Sequence, residues 1–118
     1  MTGDIGELDD GGLIVHGRAD DVIVSGGENV HPTEVEAVLS SHPGVDAVVV
    51  VGVPDPRWGE AVCAVWEGPA GPGDLERLAR LRLAGYKIPR RWLRVERLPR
   101  AGIDKPDRRA IRVMAETG

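Results

Sequence analysis

The sequence predicts a small α+β domain, and three observations carry that prediction. Its 118 residues amount to one domain. Two largely apolar runs, residues 45–53 and 61–66, are typical of buried strands. The segments around them show the 3.6-residue apolar repeat of amphipathic helices. We therefore expect a central sheet of about three strands, packed by about three helices and preceded by an N-terminal β-hairpin.

The N-terminal elements are short and are separated by glycine and aspartate. A turn at residues 9–12 lies between the apolar segments 5–8 and 13–16, which predicts the hairpin. Residues 22–24 predict a further short strand. The pair Gly26-Gly27 ends it, because glycine disfavours a continuing strand.

The first helix is predicted to begin near Pro32, since proline suits the first helical turn. Thr33 and Glu36 have the spacing of a capping box. Pro43-Gly44 ends the helix. The apolar stripe comprises Val35, Val38 and Leu39.

The remaining elements follow in sequence. Residues 45–53 are too continuously apolar for a half-exposed strand, which predicts a central strand. Residues 61–66 form the next strand, and the prolines and glycines of 67–73 indicate a flexible surface loop. Residues 92–96 alternate like a strand, and 107–116 predict a terminal helix carrying Arg108, Arg109 and Arg112.

Between the strand predicted at 61–66 and the strand predicted at 92–96 we expect a second helix. Asp74 is a suitable N-cap, and Gly85 a suitable C-terminal stop. The predicted buried face comprises Leu75, Leu78 and Leu81.

Composition excludes several classes of protein. With 15 Lys and Arg against 19 Asp and Glu, the net charge of −4 argues against a uniformly basic nucleic-acid binder. No apolar run approaches the roughly 20 residues that span a bilayer. The N-terminus lacks the basic and apolar regions of a signal peptide. We expect a soluble cytoplasmic protein.

The residues that commonly bind metals offer little here. Cys63 is the only cysteine, so an internal disulfide is impossible, and its apolar surroundings indicate a small buried side chain. His16, His31 and His42 lie in separate contexts without ligand spacing, so no metal site is predicted.

Lysine is rare enough to be informative. Only Lys87 and Lys105 among the 15 basic residues are lysine, and the rest are arginine. Because the two groups are not interchangeable, these two positions are candidates for a requirement for an ammonium group. Lys105 also lies in a polar segment, 98–105, that we expect to form a loop just before the terminal helix.

Nine short segments of the sequence form an ordered set: Thr2-Gly3-Asp4, Gly17-Arg18-Ala19-Asp20-Asp21-Val22-Ile23, Ser25-Gly26-Gly27-Glu28-Asn29-Val30-His31-Pro32, Glu34-Val35-Glu36, His42-Pro43-Gly44-Val45, Val51-Gly52-Val53-Pro54-Asp55, Trp58-Gly59-Glu60, Tyr86-Lys87-Ile88-Pro89 and Leu98-Pro99-Arg100. In this order they resemble the C-terminal lid domain of acyl-CoA synthetases, which belong to the adenylate-forming superfamily. The resemblance covers essentially the whole chain, and Gly26-Gly27-Glu28-Asn29 is closer to CoA ligases than to amino-acid-activating domains.

The resemblance implies a two-step reaction. A carboxylate attacks the α-phosphate of ATP to give an acyl-adenylate, and the CoA thiol then displaces AMP. The lid rotates between the steps and presents a different face to a large N-terminal adenylating domain. ATP/AMP, Mg²⁺ and CoA are thus implied for the full-length enzyme, and none is held by this domain alone.

Residues implied in adenylation cluster in two segments. Asp4 and Arg18 match positions that contact the nucleotide ribose, and Asp20 matches the hinge. This divides the chain into 1–19, the end of the N-terminal domain with its hairpin, and 20–118, the lid. Lys105 matches the catalytic lysine between the carboxylate and the α-phosphate, although Ile103 and Asp104 replace the usual hydroxyl residue and glycine before it.

Residues implied in thioester formation lie elsewhere. Gly26 and Gly27 match the segment along the pantetheine tunnel, and Trp58 matches a position that packs on CoA. Arg90 and Arg91 are candidates for its phosphates. A turn, a packing tryptophan and solvated arginines are the structural alternatives, and Lys87 is expected to be structural or phosphate-facing.

No segment resembles the Ser/Thr/Gly-rich phosphate loop or an acyl pocket. We therefore expect an excised lid or a truncated chain that adenylates nothing alone. The alternative is a free-standing interaction module that docks on a separate adenylating domain or carrier protein without chemistry of its own.

Overall fold

A five-stranded sheet carries three helices in the computed structural model, which describes residues 21–103 and 105–117. A separate two-stranded hairpin precedes the last helix. In chain order the elements are β1 (Ile23–Ser25), β2 (Glu28–Val30), α1 (Pro32–Ser40), β3 (Ala47–Asp55), β4 (Gly59–Glu67), α2 (Pro72–Arg82), a 3-10 turn (Gly85–Lys87), β5 (Arg91–Arg94), β6 (Arg100–Gly102), β7 (Lys105–Pro106) and α3 (Arg108–Thr117). The α+β class is confirmed, with more strands than the three expected; the predicted hairpin over 5–16 lies outside the described residues.

β4 is the central strand of the sheet. It pairs along its whole length with β3, antiparallel from Ala47↔Glu67 to Asp55↔Gly59. Its other edge pairs with β5 in parallel and meets β1 at Ser25↔Gly59. Among residues 21–103 and 105–117, β3 has a strand on one side only, so the expectation that 45–53 forms a central strand is wrong.

The continuous apolar run of β3 arises because both faces of the sheet are covered. One face packs against α1 and α2, and the other packs against α3. The first core includes Val35, Leu39, Val50, Trp66, Leu75 and Ala79. The second includes Val49, Val51, Val53, Cys63, Leu98 and Ile111.

The outer edge of β3 is covered at Val50 by side chains of α1 and α3. The Val50 N–H donates to Glu36 Oε2 at 2.8 Å, and the Arg108 guanidinium donates to the Val50 carbonyl at 2.7 Å and to Glu36 Oε2 at 3.2 Å. Burial raises the pKa of the Glu36 carboxyl, and the Val50 N–H and Arg108 oppose that rise. The predicted capping box is therefore wrong: His31 is the N-cap without a side-chain hydrogen bond, and Glu36 binds β3.

The second helix differs from its prediction at both ends. Gly71 is the N-cap, and Asp74 lies within the first turn. Leu75 and Ala79 are the buried residues of the helix, whereas Leu81 is 82% exposed. The periodicity at 75, 78 and 81 drifts off the core face because a spacing of three falls short of the 3.6-residue turn.

The loop before this helix is more integrated than its glycines and prolines suggest. Ala70 is buried, and its N–H donates to the Gly44 carbonyl at 2.9 Å. Gly68 has φ +133°, and an added Cβ would lie only 2.9 Å from the Asp46 nitrogen. Part of the predicted surface loop is therefore buried and hydrogen-bonded, and Pro72 and Gly73 already belong to α2.

The remaining predictions agree closely with the structure. β1, β4 and β5 overlap their predicted segments. The terminal helix begins at Arg108, and the Asp107 carboxylate accepts the Ala110 N–H at 3.1 Å. Within the part of the chain that the structure describes, no helix is long and apolar enough to cross a membrane.

Cys63 provides a test of the core. Burial raises the pKa of its thiol to about 11, so little reactive thiolate forms near neutrality. We expect native protein at pH 8 to resist Ellman's reagent and unfolded protein to react with one equivalent. Because the pKa of the thiol is higher in the folded protein than its ordinary value of 9.0, the free energy of unfolding should also fall as pH rises from 9.0 to about 11. Rapid reaction of the native thiol would contradict this packing. The Cys63→Ala variant, which has no thiol, is the control for background reaction.

Candidate functional site

The turn between β3 and β4 presents Trp58. Asp55 Oδ1 accepts two backbone N–H groups, from Arg57 at 2.8 Å and from Trp58 at 3.0 Å. Gly59 follows with φ +80°, a conformation that side chains disfavour. These contacts fix the direction in which the indole leaves the turn.

A second turn, between β1 and β2, packs on this tryptophan. Gly26 and Gly27 have φ values of +61° and +84°, as a tight hairpin turn requires. The Gly26 N–H donates to the Trp58 carbonyl at 2.8 Å, and a Cβ on Gly26 would lie 2.9 Å from Trp58 Cε3. A Cβ on Gly27 would meet no atom within 4 Å, so Gly27 is required by backbone conformation alone.

Arginine covers the indole. Arg90 Cζ lies 3.8 Å from the ring centroid of Trp58, and Arg57 Cζ lies 5.5 Å from it. The Arg90 N–H donates to the Val62 carbonyl at 2.9 Å, which ties the segment before β5 to β4. We call Gly26, Gly27, Arg57, Trp58 and Arg90 the Trp58 surface.

Three distant parts of the chain therefore meet at the Trp58 surface. A flat aromatic ring with guanidinium groups beside it suits a ligand that combines a planar ring with phosphates. Of the two predicted arginines, Arg90 lies on this surface, whereas Arg91 belongs to β5 in register with Cys63. Sequence reasoning missed Arg57, although its place next to Trp58 was a usable signal.

Lys105 lies on the β6–β7 hairpin. Gly102 pairs with Lys105 and Arg100 with Pro106. Lys105 is exposed, and Ile103 at the tip is 93% exposed. Sequence reasoning expected a loop here, because strands of two or three residues have no recognisable periodicity. The hairpin projects a cation and an apolar tip away from the domain.

Lys87 has a structural contact. Its ammonium donates to both carboxylate oxygens of Glu34, at 2.8 and 3.0 Å, and lies 5.6 Å from the Tyr86 ring centroid. The hydrogen bond to Glu34 raises the pKa of Lys87. This ion pair joins the 3-10 turn to α1.

The other predicted site residues cannot be placed. Asp4, Arg18 and Asp20 lie outside the described residues, as does Asp104. Across residues 21–103 and 105–117, no group of three His, Cys, Asp or Glu side chains is arranged to hold a metal ion.

These features define a small α+β domain with two separate candidate surfaces, an arginine-covered tryptophan and a lysine-bearing hairpin. Residues 34–105 match the family described as AMP-binding enzyme C-terminal domain, and the chain belongs to that family.

Curated relatives agree with this assignment. The chain is 45% identical to 4-chlorobenzoate–CoA ligase of a Pseudomonas species, over 86% of this chain and 20% of that protein. It is 49% identical to feruloyl-CoA synthase of an Amycolatopsis species, over 88% and 22%. The chain thus spans about a fifth of the length of these relatives.

Solved structures give the same result. A fatty acyl CoA synthetase of Mycobacterium tuberculosis matches with a TM-score of 0.82 at 35% identity, over 85% of this chain and 20% of that one. An o-succinylbenzoate CoA synthetase of Bacillus subtilis, in complex with its acyl-adenylate intermediate, matches with a TM-score of 0.76 at 41% identity, over 80% and 20%.

Proposed function

We propose that this chain is the lid domain of an ATP-dependent acyl-CoA ligase. In the complete enzyme, a carboxylate attacks the α-phosphate of ATP to form an acyl-adenylate and release pyrophosphate, and the thiol of CoA then displaces AMP. The observation that carries the proposal is the meeting of Gly26, Trp58 and Arg90 at one surface, in a domain whose curated relatives are CoA ligases. CoA combines an adenine ring with phosphates, which is the chemistry that surface suits.

Thioester formation is assigned to the Trp58 surface. Adenine stacks on an aromatic face, and guanidinium groups pair with phosphate oxygens. Arg90 occupies the neighbourhood of the ring in this structure, so we propose that it shifts from the indole to a phosphate when CoA binds. Gly26 keeps the backbone close to this ring because it lacks a Cβ that would clash.

Adenylation is assigned to the β6–β7 hairpin that carries Lys105, which we call the Lys105 hairpin. A compact ammonium on an exposed hairpin can enter a site on another domain and stabilise negative charge between the carboxylate and the α-phosphate. Asp4 and Arg18 as ribose contacts and Asp20 as the hinge are supported by their match to the family segments. We propose domain limits of 1–19 and 20–118 on the same ground.

The remaining machinery is assigned to a large N-terminal adenylating domain. The coverage of about a fifth of the relatives supports this division. We propose that ATP, Mg²⁺, CoA and the carboxylic acid are all used in the complete enzyme and that this domain alone holds none of them. The cytoplasmic location predicted from the sequence stays a prediction.

The test is a ligase assay of the intact gene product against a panel of carboxylic acids, with Trp58→Ala as the diagnostic variant. Stacking of a base on an aromatic ring contributes about 1–3 kcal/mol, so we expect the KM for CoA to rise about tenfold or more while the KM for ATP stays constant. Arg94→Ala, an exposed arginine of β5, is the control. An unchanged CoA dependence would reduce Trp58 to a packing residue. An intact gene product that catalyses formation of neither the acyl-adenylate nor the thioester would favour the alternative, a free-standing interaction module.

A further inference from the structure

Glu67 connects the centre of the sheet to the Lys105 hairpin. It is the last residue of β4, and its side chain is only 16% exposed. Its Oε2 accepts the Leu98 N–H at 2.6 Å and a hydrogen bond from Arg100 Nη2 at 3.2 Å. Leu98 lies just before the hairpin, and Arg100 is the first residue of β6. One carboxylate oxygen thus binds the segment that enters the hairpin.

The hairpin depends on such anchors. β6 and β7 form a two-stranded sheet of their own, with an irregular register, and isolated hairpins of this kind are marginally stable in water. On the entering side, the Leu98 side chain is buried in the core beneath α3. The backbone is closed below the hairpin, where the Asp107 N–H donates to the Pro99 carbonyl at 2.9 Å.

The leaving side is anchored separately. Arg108, the first residue of α3, donates to the Val50 carbonyl of β3 and pairs with Glu36 of α1. The chain on both sides of Lys105 is therefore tied to the sheet, and Glu67 provides the tie before the hairpin.

A carboxylate suits this position for two reasons. It only accepts hydrogen bonds, so it can pair at once with a backbone N–H and a guanidinium. It also begins from a rigid base, because Glu67 is in register with Ala47 and its carbonyl accepts the Asp46 N–H at 2.7 Å. Removing it would leave the Leu98 N–H without its acceptor and Arg100 without its counter-charge.

We propose that Glu67 is a positioning residue for Lys105, holding the entry of the hairpin so that the ammonium reaches the reacting groups in a fixed geometry. This inference rests on the proposed role of Lys105 in adenylation. Glu67 touches no substrate and acts only through the hairpin. Small displacements of a reacting group are costly, since about 1 Å of misplacement can reduce a rate about 100-fold.

The test compares Glu67→Ala, Glu67→Gln and Glu96→Gln in the complete enzyme. We expect Glu67→Ala to lower the kcat of acyl-adenylate formation by about tenfold to 100-fold, with thioester formation from supplied acyl-AMP unchanged. Glu67→Gln, which keeps an oxygen for the Leu98 N–H but loses the charge, should fall between that variant and the parent. Glu96, which is exposed and two residues before Leu98, controls for loss of a carboxylate nearby.

Amide hydrogen exchange of this 118-residue chain supplies the second readout. Exchange at Leu98 and through the hairpin should accelerate in Glu67→Ala, while exchange in β3 and β4 is unchanged. If Glu67→Ala does not fold, Glu67→Gln carries both measurements. Equal loss of the two partial reactions, or unchanged adenylation in a variant with a loosened hairpin, would overturn the inference. Lys105→Ala, measured in parallel, distinguishes failure of this inference from failure of the proposed function. If that variant still forms the acyl-adenylate, the proposed function itself is wrong.

Discussion

Replacing Lys105 with alanine should abolish acyl-adenylate formation in the complete enzyme and leave thioester formation from supplied acyl-AMP largely intact. Negative charge gathers between the attacking carboxylate and the α-phosphate, and a preorganised cation there stabilises the transition state. Loss of one such electrostatic group typically costs about 100-fold to 1000-fold in rate. Thioester formation should be spared because the proposed CoA contacts lie on the Trp58 surface, on other turns of the domain.

The measurement is carboxylate-dependent exchange between ATP and pyrophosphate, with CoA thioester formation assayed separately. Arg109→Ala is a suitable control, since it removes an exposed cation from the first turn of α3. Lys105→Arg asks whether charge suffices, because the planar guanidinium is larger than the compact ammonium. Equal loss of both partial reactions in Lys105→Ala would remove the assignment of adenylation to this residue.

Replacing Trp66 with alanine should cause the largest loss of stability, about 4 kcal/mol. Trp66 is 1% exposed, packs edge-on against Trp92 with ring centroids 6.1 Å apart, and donates its Nε1–H to the Ala70 carbonyl at 3.0 Å. Truncation leaves a cavity and an unpaired buried carbonyl together. Trp66→Phe retains much of the apolar volume but not the donor, so we expect a smaller loss of about 1–3 kcal/mol.

Urea unfolding followed by circular dichroism measures these losses. Leu81→Ala is an informative control, because the apolar spacing predicted Leu81 to be buried and the structure has it 82% exposed. It should change the free energy of unfolding by no more than about 0.5 kcal/mol. A Leu81→Ala loss comparable with that of Trp66→Ala would mean that α2 is rotated from its position here.

The sequence predicted those elements whose apolar pattern is set by local periodicity. β4 and α3 are long enough to show it, and Asp107 gave a reliable start to α3. β1 was predicted from its apolar residues, whereas β2, β6 and β7 have only two or three residues each, which show no period, and tertiary contacts hold them. The apolar run of β3 correctly indicated a strand that is buried on both faces. Burial of both faces does not determine whether a strand lies at the centre or at the edge of a sheet.

Side-chain partners were harder to predict than elements. Glu36 has the spacing of a capping-box residue, yet the Val50 N–H and Arg108 offer it better partners from other elements. For the candidate site, family segments selected Gly26 and Trp58, and Arg90 was a candidate for the CoA phosphates. No spacing along the chain indicates that Arg90 covers the indole. Such contacts depend on the path of the sheet, which is not a local property.

The contacts that cover β3 at Val50 have a consequence for self-association of the domain. An uncovered strand edge offers unpaired N–H and C=O groups to any other chain, and edge-to-edge association of this kind leads to aggregation. At Val50 both outward groups are already engaged, by Glu36 and by Arg108. A second molecule could extend the sheet there only after displacing a half-buried ion pair. The Glu36–Arg108 pair therefore also opposes edge-to-edge association at this position of β3.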